Sequence, residues 1–165
     1  MQDTMHASYL SDVQFIIQDV EVRQATTREL SVDPGLWYRH LDEIGNIQGV
    51  DIDEDMDYFE AMEAAGSFLG IGAWCEGKLV GYSLNAIQER HPIYNEKWLN
   101  HIALFVDKPF RRGNIGRRLI DETERLATKN ACKRMTMHAK PCTQLESWLP
   151  RLGYQPLETV FIKDF

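Results

Sequence analysis

An apolar strand that runs directly into a basic, glycine-containing turn and then into a helix is the most constraining feature of the sequence. The segment spans residues 104–120 and reads LFVDKPFRRGNIGRRLI. The N–H groups of the first helical turn have no intrahelical acceptors, and a helix N-terminus carries partial positive charge. The turn is therefore predicted to bind a polyanion such as a phosphate or pyrophosphate. Four arginines add full charges around it: Arg111, Arg112, Arg117 and Arg118.

The spacing within this turn distinguishes between anion-binding motifs. It fits neither a Walker loop nor a dinucleotide fingerprint. Residues 111–116, RRGNIG, instead resemble the [RQ]-x-x-G-x-[GA] loop of the GNAT superfamily of N-acetyltransferases, with Val106 five residues before the first arginine as in that family. Leu152-Gly153-Tyr154 is similar to the family's Leu-Gly-Phe. Asn114 replaces the first loop glycine, and Asn both tolerates positive φ and favours helix N-caps. The alternative is a capped strand–turn–helix with arginines on a solvated face.

The resemblance implies that acetyl-CoA is the cosubstrate, with its pyrophosphate on the loop, and that no metal is needed. Within the family, the strand before the loop pairs with the pantetheine amides, here through Leu104 and Val106, and one of its N–H groups polarises the thioester carbonyl. Cys142 stands where the family commonly has an Asn that contacts the cofactor; a small buried cysteine is the alternative. The expected cofactor-binding residues are Leu104, Phe105, Val106, Arg111, Arg112, Gly113, Asn114, Ile115, Gly116, Arg117 and Cys142.

The catalytic residues are less clearly marked. An alkylammonium must lose a proton before it attacks, which costs about 4.6 kcal/mol at pH 7. The family often places Glu or His at the positions that are Asn100 and Ile102 here. His101 lies between them and would point to the opposite face of a regular strand unless a bulge re-aims it. We consider His101 as base or water relay and Asn100 as a water-holding residue; the alternative for His101 is packing beneath the sheet.

The family's usual general acid, a tyrosine four residues before the late glycine, is Leu149 in this chain. Tyr154, Tyr94 and Tyr82 are substitutes among which the sequence does not choose. A thiol of pKa near 8.5 is a good leaving group even without an acid.

The order of predicted elements is β-α-α-β-β-β-α-β-α-β. The expected strands are residues 13–25, 68–75, 79–88, 98–106, 134–139 and 156–162, and the expected helices are residues 34–44, 53–65, 114–129 and 143–149. Periodicity alone supports an α/β domain with a mostly antiparallel sheet. The resemblance sharpens this to a GNAT fold with a mixed, mostly antiparallel sheet of six to seven strands and about four helices. Residues 1–11 are expected to be a flexible leader before a single domain at 12–165.

Composition restricts the partners. The net charge of −7 argues against nucleic-acid binding, and no apolar run approaches the ~20 residues of a membrane helix. Three cysteines without framework spacing predict a reduced, cytoplasmic setting. Zinc bound by Cys132, His138 and Cys142 is disfavoured because their spacing is wrong. The sequence leaves undecided whether the protein forms a homodimer.

An acidic block lies apart from the basic loop. Residues 51–63 carry seven acidic and no basic side chains, whereas residues 108–118 carry five basic and no acidic ones. Two such loci suit an anionic cofactor and a cationic substrate, although acids also favour the first turn of a solvated helix. The expected substrate-binding residues are Trp37, Tyr38, Asp53, Asp55 and Tyr94.

We therefore expect an N-acetyltransferase that moves an acetyl group from acetyl-CoA to a primary amine by direct transfer in a ternary complex. A cationic small molecule such as a polyamine or amino sugar is the favoured acceptor. The alternatives are a non-catalytic acyl-CoA-binding sensor or scaffold subunit, acetylation of a protein amino group, and modification of a nucleobase amine.

Overall fold

Among the described residues, five strands form one sheet in the order in which they occur in the chain. The computed structural model describes residues 20–44 and 55–163. β1 to β4 pair antiparallel with their neighbours, and β5 joins β4 in parallel. The strands are β1 (Val20–Ala25), β2 (Phe68–Cys75), β3 (Lys78–Gln88), β4 (Trp98–Val106) and β5 (Arg134–Thr136).

Helices cover both faces of this sheet. The part of the chain that the structure describes has five α-helices: α1 (Thr27–Leu30), α2 (Pro34–Ile44), α3 (Met56–Ala64), α4 (Ile115–Lys129) and α5 (Gln144–Trp148). Short 3₁₀ turns at Lys108–Phe110 and Leu149–Leu152 precede α4 and follow α5. None of the helices in the two described ranges has the length and apolar character needed to cross a bilayer.

Two apolar clusters lie on opposite sides of the sheet. The first joins the sheet to α4 through Ile115, Leu119 and Leu126, which recur at helical spacing and are almost fully buried. The second joins α1 and α2 to the other face through Leu30, Leu36 and residues of β2, β3 and β4. The sheet is thus held between α4 on one face and α1, α2 and α3 on the opposite face.

β4 contains an irregularity that bears directly on the candidate site. Leu84 of β3 pairs with Ala103 and Asn85 pairs with His101, so Ile102 is an extra residue in β4. An inserted residue changes which face the following side chains occupy. Leu99 belongs to the cluster beneath α4, whereas Ala103 and Phe105 belong to the cluster on the opposite face.

Most predicted elements are present with small shifts at their ends, but the predicted sheet of six to seven strands is wrong, since five are found among the described residues. The segment at 156–162 forms no strand, and Leu157, Val160 and Phe161 are mostly exposed. Because β5 has only three residues, a further strand beside it would form few main-chain hydrogen bonds. The expectation of about four helices missed α1, a single turn with a capping box between Thr26 and Glu29.

Candidate functional site

The turn between β4 and α4 presents a row of main-chain donors. Within the described ranges, the N–H groups of residues 112–117 have no hydrogen-bond acceptor, and the first backbone bond of the helix runs from Arg118 N to Asn114 O. Asn114 is the N-cap, yet its side chain makes no capping bond. Its φ of −100° shows that this position does not need the left-handed conformation. The amides and the helix dipole therefore remain available to an anion.

Space around the turn is also suited to a bulky ligand. A Cβ added at Gly113 would meet no atom within 4 Å, and one added at Gly116 would lie 3.4 Å from the ring of Trp148. Trp148, at the end of α5, thus borders the start of α4. Sequence reasoning passed over this residue because its proximity depends on the placement of α5.

The arginines of the turn differ in their partners. Arg111 folds back: its Nε donates to Val106 O at 2.6 Å, and its guanidinium donates to Glu43 of α2 at 2.6 Å. Arg117 pairs with Asp121 one turn along α4. Arg112 and Arg118 make no ion pair within the described residues. The turn therefore keeps a net positive charge for an incoming polyanion.

A fork opens beside this turn. β4 and β5 pair only from Trp98–Arg134 to Asn100–Thr136, and from there to Val106 β4 is paired with β3 but not with β5. Asp107 N bonds to Val80 O on β3, so the preceding carbonyl of Val106 faces away from β3 and into the fork. Because strand donors and acceptors alternate sides, the main-chain groups of Leu104 face the same way. Phe105 differs: its carbonyl lies against β3, and its ring is buried beside His40.

His101 lies beneath the sheet. It pairs with Asn85, whose side chain bonds to Ser83, and Ser83 is 3.1 Å from Thr123 of α4, so all of these lie on the α4 face. Only 5% of His101 is exposed. Burial, reinforced by the nearby His138, lowers the pKa of His101 to about 4. The bulge follows at Ile102 and leaves the His101 ring on this buried face.

Asn100 is engaged in cross-strand hydrogen bonds. Its Nδ2 donates to Gln88 at 3.2 Å, and its Oδ1 accepts from Thr136 Oγ1 at 2.9 Å. These bonds connect β3, β4 and β5 at the closed end of the fork. Any water held by Asn100 would have to share atoms that are already bonded.

A histidine that sequence reasoning considered only as a zinc ligand lies at the fork itself. His138 follows β5, its N–H donates to His101 Nδ1, and its own Nδ1 lies 2.8 Å from His101 O. The sequence gives no signal for this arrangement, because it depends on where β5 leaves β4. In the part of the chain that is described, no group of three or more His, Cys, Asp or Glu side chains is placed to hold a metal ion.

The three tyrosines considered as acids have different surroundings. Tyr154 OH donates to Glu124 at 2.8 Å, and burial followed by that bond raises its pKa. Tyr82 is buried, with its OH 2.7 Å from Nδ1 of His40. Tyr94 is largely exposed and stacks on Trp98. Tyr82, next to Phe105 of β4, is therefore the tyrosine of the three that packs against the loop-proximal half of β4.

His40 adds a second buried imidazole on the face opposite α4. It stacks on Phe105 with ring centroids 4.7 Å apart. Burial lowers its pKa to about 4, opposed by the nearby Glu43. This neutral ring links α2 to the strand that leads into the basic turn.

The expected substrate-binding residues are only partly brought together. Trp37 stacks on Tyr82 and lies 6.5 Å from Phe59 of α3, which places it near the helix capped by Asp55. Tyr38 is exposed on α2. Tyr94 lies instead at the start of β4, the end farthest from the basic turn. Asp53 lies outside the described residues.

Cys142 is exposed, with a positive φ of 64°, and its N–H donates to Glu146. It is therefore not the small buried residue of the alternative interpretation. All three cysteines are free thiols.

Comparison with known families identifies the family of the chain. Residues 31–153 match the acetyltransferase (GNAT) family. The chain belongs to this family. The matched region spans α2, the fork, the basic turn and α5, so the protein is classed with the acyltransferases.

Solved structures with this fold share little sequence with the chain. A predicted acetyltransferase with acetyl-CoA from Clostridium acetobutylicum has a TM-score of 0.73 at 15% identity, covering 88% of this chain and 96% of its own. An aminoglycoside acetyltransferase from an uncultured soil metagenomic sample has a TM-score of 0.72 at 16% identity, with 90% and 99% covered. A ribosomal-protein-alanine N-acetyltransferase from Brucella melitensis biovar Abortus 2308 has a TM-score of 0.72 at 15% identity, also with 90% and 99% covered. No curated protein sequence matches the chain.

Proposed function

We propose that this GNAT protein transfers the acetyl group of acetyl-CoA to the primary amine of a cationic small molecule, by direct attack in a ternary complex. The observation that carries the proposal is the row of main-chain N–H groups at residues 112–117, which have no acceptor within the described residues and stand at the N-terminus of a 15-residue helix. Such a row is suited to a pyrophosphate.

The residues present fit the coenzyme. The basic turn would hold its pyrophosphate, with Arg112 and Arg117 adding charge and Gly113 leaving space. The main-chain groups of Leu104 and Val106, which face the fork, would pair with the pantetheine amides as edge-strand groups pair with an added strand. When bound, acetyl-CoA supplies an acetyl group activated as a thioester.

The acceptor side favours a cation. α3 begins with Asp55 at its N-cap and Asp57 in its first turn, both unpaired with any basic side chain of the described residues. This helix packs near Trp37 through Phe59. Carboxylates close to aromatic rings suit an amine-bearing ligand. Acetylation of a protein amino group is the second candidate, supported by the structural likeness to the Brucella enzyme named for a ribosomal protein alanine.

A charge change in the turn tests the coenzyme assignment. Gly113→Asp places a carboxylate where a side chain meets no atom, so folding should be retained, while the negative charge competes for the free amides. We expect coenzyme A affinity, measured by calorimetry, to fall by at least about tenfold. Gly113→Asn is the matched neutral control and should bind within about twofold of the wild type.

Equal affinities of the Asp and Asn variants would contradict the assignment of the turn. Turnover is tested separately with acetyl-CoA and a panel of spermidine, kanamycin and an alanyl peptide, by following thiol release. Tight coenzyme binding without turnover on any of these amines would favour the non-catalytic sensor.

A further inference from the structure

His138 occupies the point at which β4 and β5 separate. β5 ends at Thr136, and two residues later His138 makes two hydrogen bonds to a single residue of β4. Its N–H donates to His101 Nδ1 at 3.3 Å, and its Nδ1 lies 2.8 Å from His101 O. The ring is therefore fixed at the closed end of the fork, and His138 is exposed to solvent.

These contacts determine the tautomer of both rings. A carbonyl oxygen only accepts, so Nδ1 of His138 must carry the proton. In the neutral ring, Nε2 of His138 is then a lone-pair acceptor, and no described residue donates to it. His101 has the reverse arrangement: its Nδ1 accepts from the His138 N–H, so its proton is on Nε2.

The consequence for His101 is that its lone pair is already used. Nε2 of His101 is buried without a hydrogen-bond partner among the described residues. Its ring can neither reach an amine nor offer a free acceptor atom. What His101 contributes to the fork is its main-chain carbonyl, which orients His138.

We propose that His138 is the general base of the acetyl transfer, with Nε2 as the accepting atom. This inference rests on the proposed function and names the residue that the β4 positions of the sequence do not supply. His138 contacts the main-chain carbonyl of His101, three residues before Leu104 on β4, and the thioester would lie between β4 and β5. An imidazole held by one nitrogen with the other free is a common arrangement for proton transfer.

The proton and electron balance is as follows. Nε2 takes one proton from the acceptor ammonium, and the neutral amine nitrogen forms a bond to the acetyl carbon. The carbon–sulfur bond breaks, its electron pair leaves with sulfur, and the second amine proton ends on that sulfur as a thiol. The imidazolium of His138, still bonded to His101 O, then releases its proton to water.

The first test needs no activity. ¹⁵N NMR of the imidazole rings in the free protein at neutral pH should show His138 protonated at Nδ1 and His101 protonated at Nε2. His138→Asn and His101→Gln variants assign the signals. Finding the His138 proton on Nε2 would overturn the proposal, since Nε2 would then have no lone pair with which to accept a proton.

The second test separates the base from the structural bond. His138→Asn keeps a donor near the position of Nδ1 and removes Nε2, so the bond to His101 O can persist. We expect kcat to fall by about 10²-fold or more with the amine that the wild type acetylates best. The affinity for coenzyme A should stay within about twofold. His91→Asn, at a histidine that stacks on Trp98 away from the fork, is the control and should leave kcat unchanged.

Wild-type kcat in His138→Asn would exclude His138 as the base. Absence of turnover by the wild-type protein on every amine would instead contradict the proposed function. The two failures are therefore distinguishable.

Discussion

Arg111 connects three parts of the site through one side chain. It contacts Val106 O, the carbonyl that faces the fork, and the carboxylate of Glu43 on α2. Its guanidinium also lies 5.2 Å from the ring of Phe105. In the free protein this arginine thus covers a carbonyl that the coenzyme is expected to use.

Removing the charge of Glu43 tests this interpretation. Glu43→Gln weakens the hold on Arg111, and the released charge becomes available to the pyrophosphate. Both side chains are partly exposed, so the ion pair contributes at most about 1 kcal/mol. We expect coenzyme A affinity to rise by about threefold to fivefold in calorimetry.

The matched control is Glu122→Gln, which removes the partner of Arg125 two turns along α4. It should leave the affinity unchanged. A Glu43→Gln protein that binds coenzyme A more weakly would show that the pair supports the bound state.

The two buried histidines predict a pH dependence of stability. Burial lowers the pKa of His40 and of His101 to about 4, below the 6.5 of an exposed histidine. Between these values the unfolded chain binds more protons than the folded one, so the free energy of unfolding falls as pH drops from about 6.5 to about 4. Above about pH 6.5 this contribution is fully present.

Urea unfolding at a series of pH values measures the effect. Near pH 5, each of the two histidines should add a slope of up to about 1.4 kcal/mol per pH unit. His40→Gln and His101→Gln should each reduce this slope by up to about 1.4 kcal/mol per pH unit. Equal slopes in the wild type and both variants would show that other groups cause the acid sensitivity.

Among the helices and strands, the sequence predicts the bounds best where the hydrophobic periodicity agrees with the residues that begin or end an element. β2, β4 and α2 begin and end where they were expected, and α4 starts one residue later because Asn114 is its N-cap. The prediction of a last strand at 156–162 is wrong, because the alternation of apolar and polar residues there contains no information about the length of β5, the edge strand with which it would pair. β5 provides only three residues, and that depends on how early it leaves β4.

The candidate site also has one part that the local sequence predicts and one part that it does not. The basic turn is local, so its sequence predicts its donors, although the expected need for positive φ at Asn114 did not arise. The fork is not local: whether His101 or His138 offers a lone pair depends on a bulge at Ile102 and on two hydrogen bonds between distant residues. The alternation of side chains along a strand predicted that His101 points to the face opposite to that of Asn100 and Ile102, but it contained no information about His138.

At the scale of the whole molecule, charge is separated between two regions. The basic turn belongs to β4 and α4, whereas Asp55 and Asp57 lie at the start of α3 on the other face of the sheet. The net charge of −7 gives the protein as a whole an overall attraction for cations, whereas the five basic side chains of residues 108–118 attract anions locally. Each substrate would then meet a favourable field on its own side.

Neutralising the start of α3 tests the acceptor side. Asn is a good N-cap, so Asp55→Asn should keep the bond from Tyr58 N, now 2.8 Å, and the helix should remain. Together with Asp57→Asn, we expect KM for spermidine to rise by about threefold at low salt and less at high salt. KM for an uncharged acceptor at the same pH should not change.

The corresponding control is Glu146→Gln, which lies within α5 and outside the acidic block. A similar loss with charged and uncharged acceptors in the α3 variant would indicate a disturbed fold. Asp53, in the same acidic block, can be changed in the same way.

Because Glu43 of α2 pairs with Arg111, the position of α2 is expected to depend on the binding of both the coenzyme and the acceptor. α2 carries Trp37 and Tyr38, which we expected to bind the acceptor, and Glu43, which pairs with Arg111 of the basic turn. Thermodynamic reciprocity requires that any acceptor whose docking displaces this helix alters the affinity for coenzyme, and that the coenzyme alters the affinity for that acceptor by the same factor. The order in which the coenzyme and the acceptor bind, measured kinetically, would then depend on the position of α2, a helix of eleven residues.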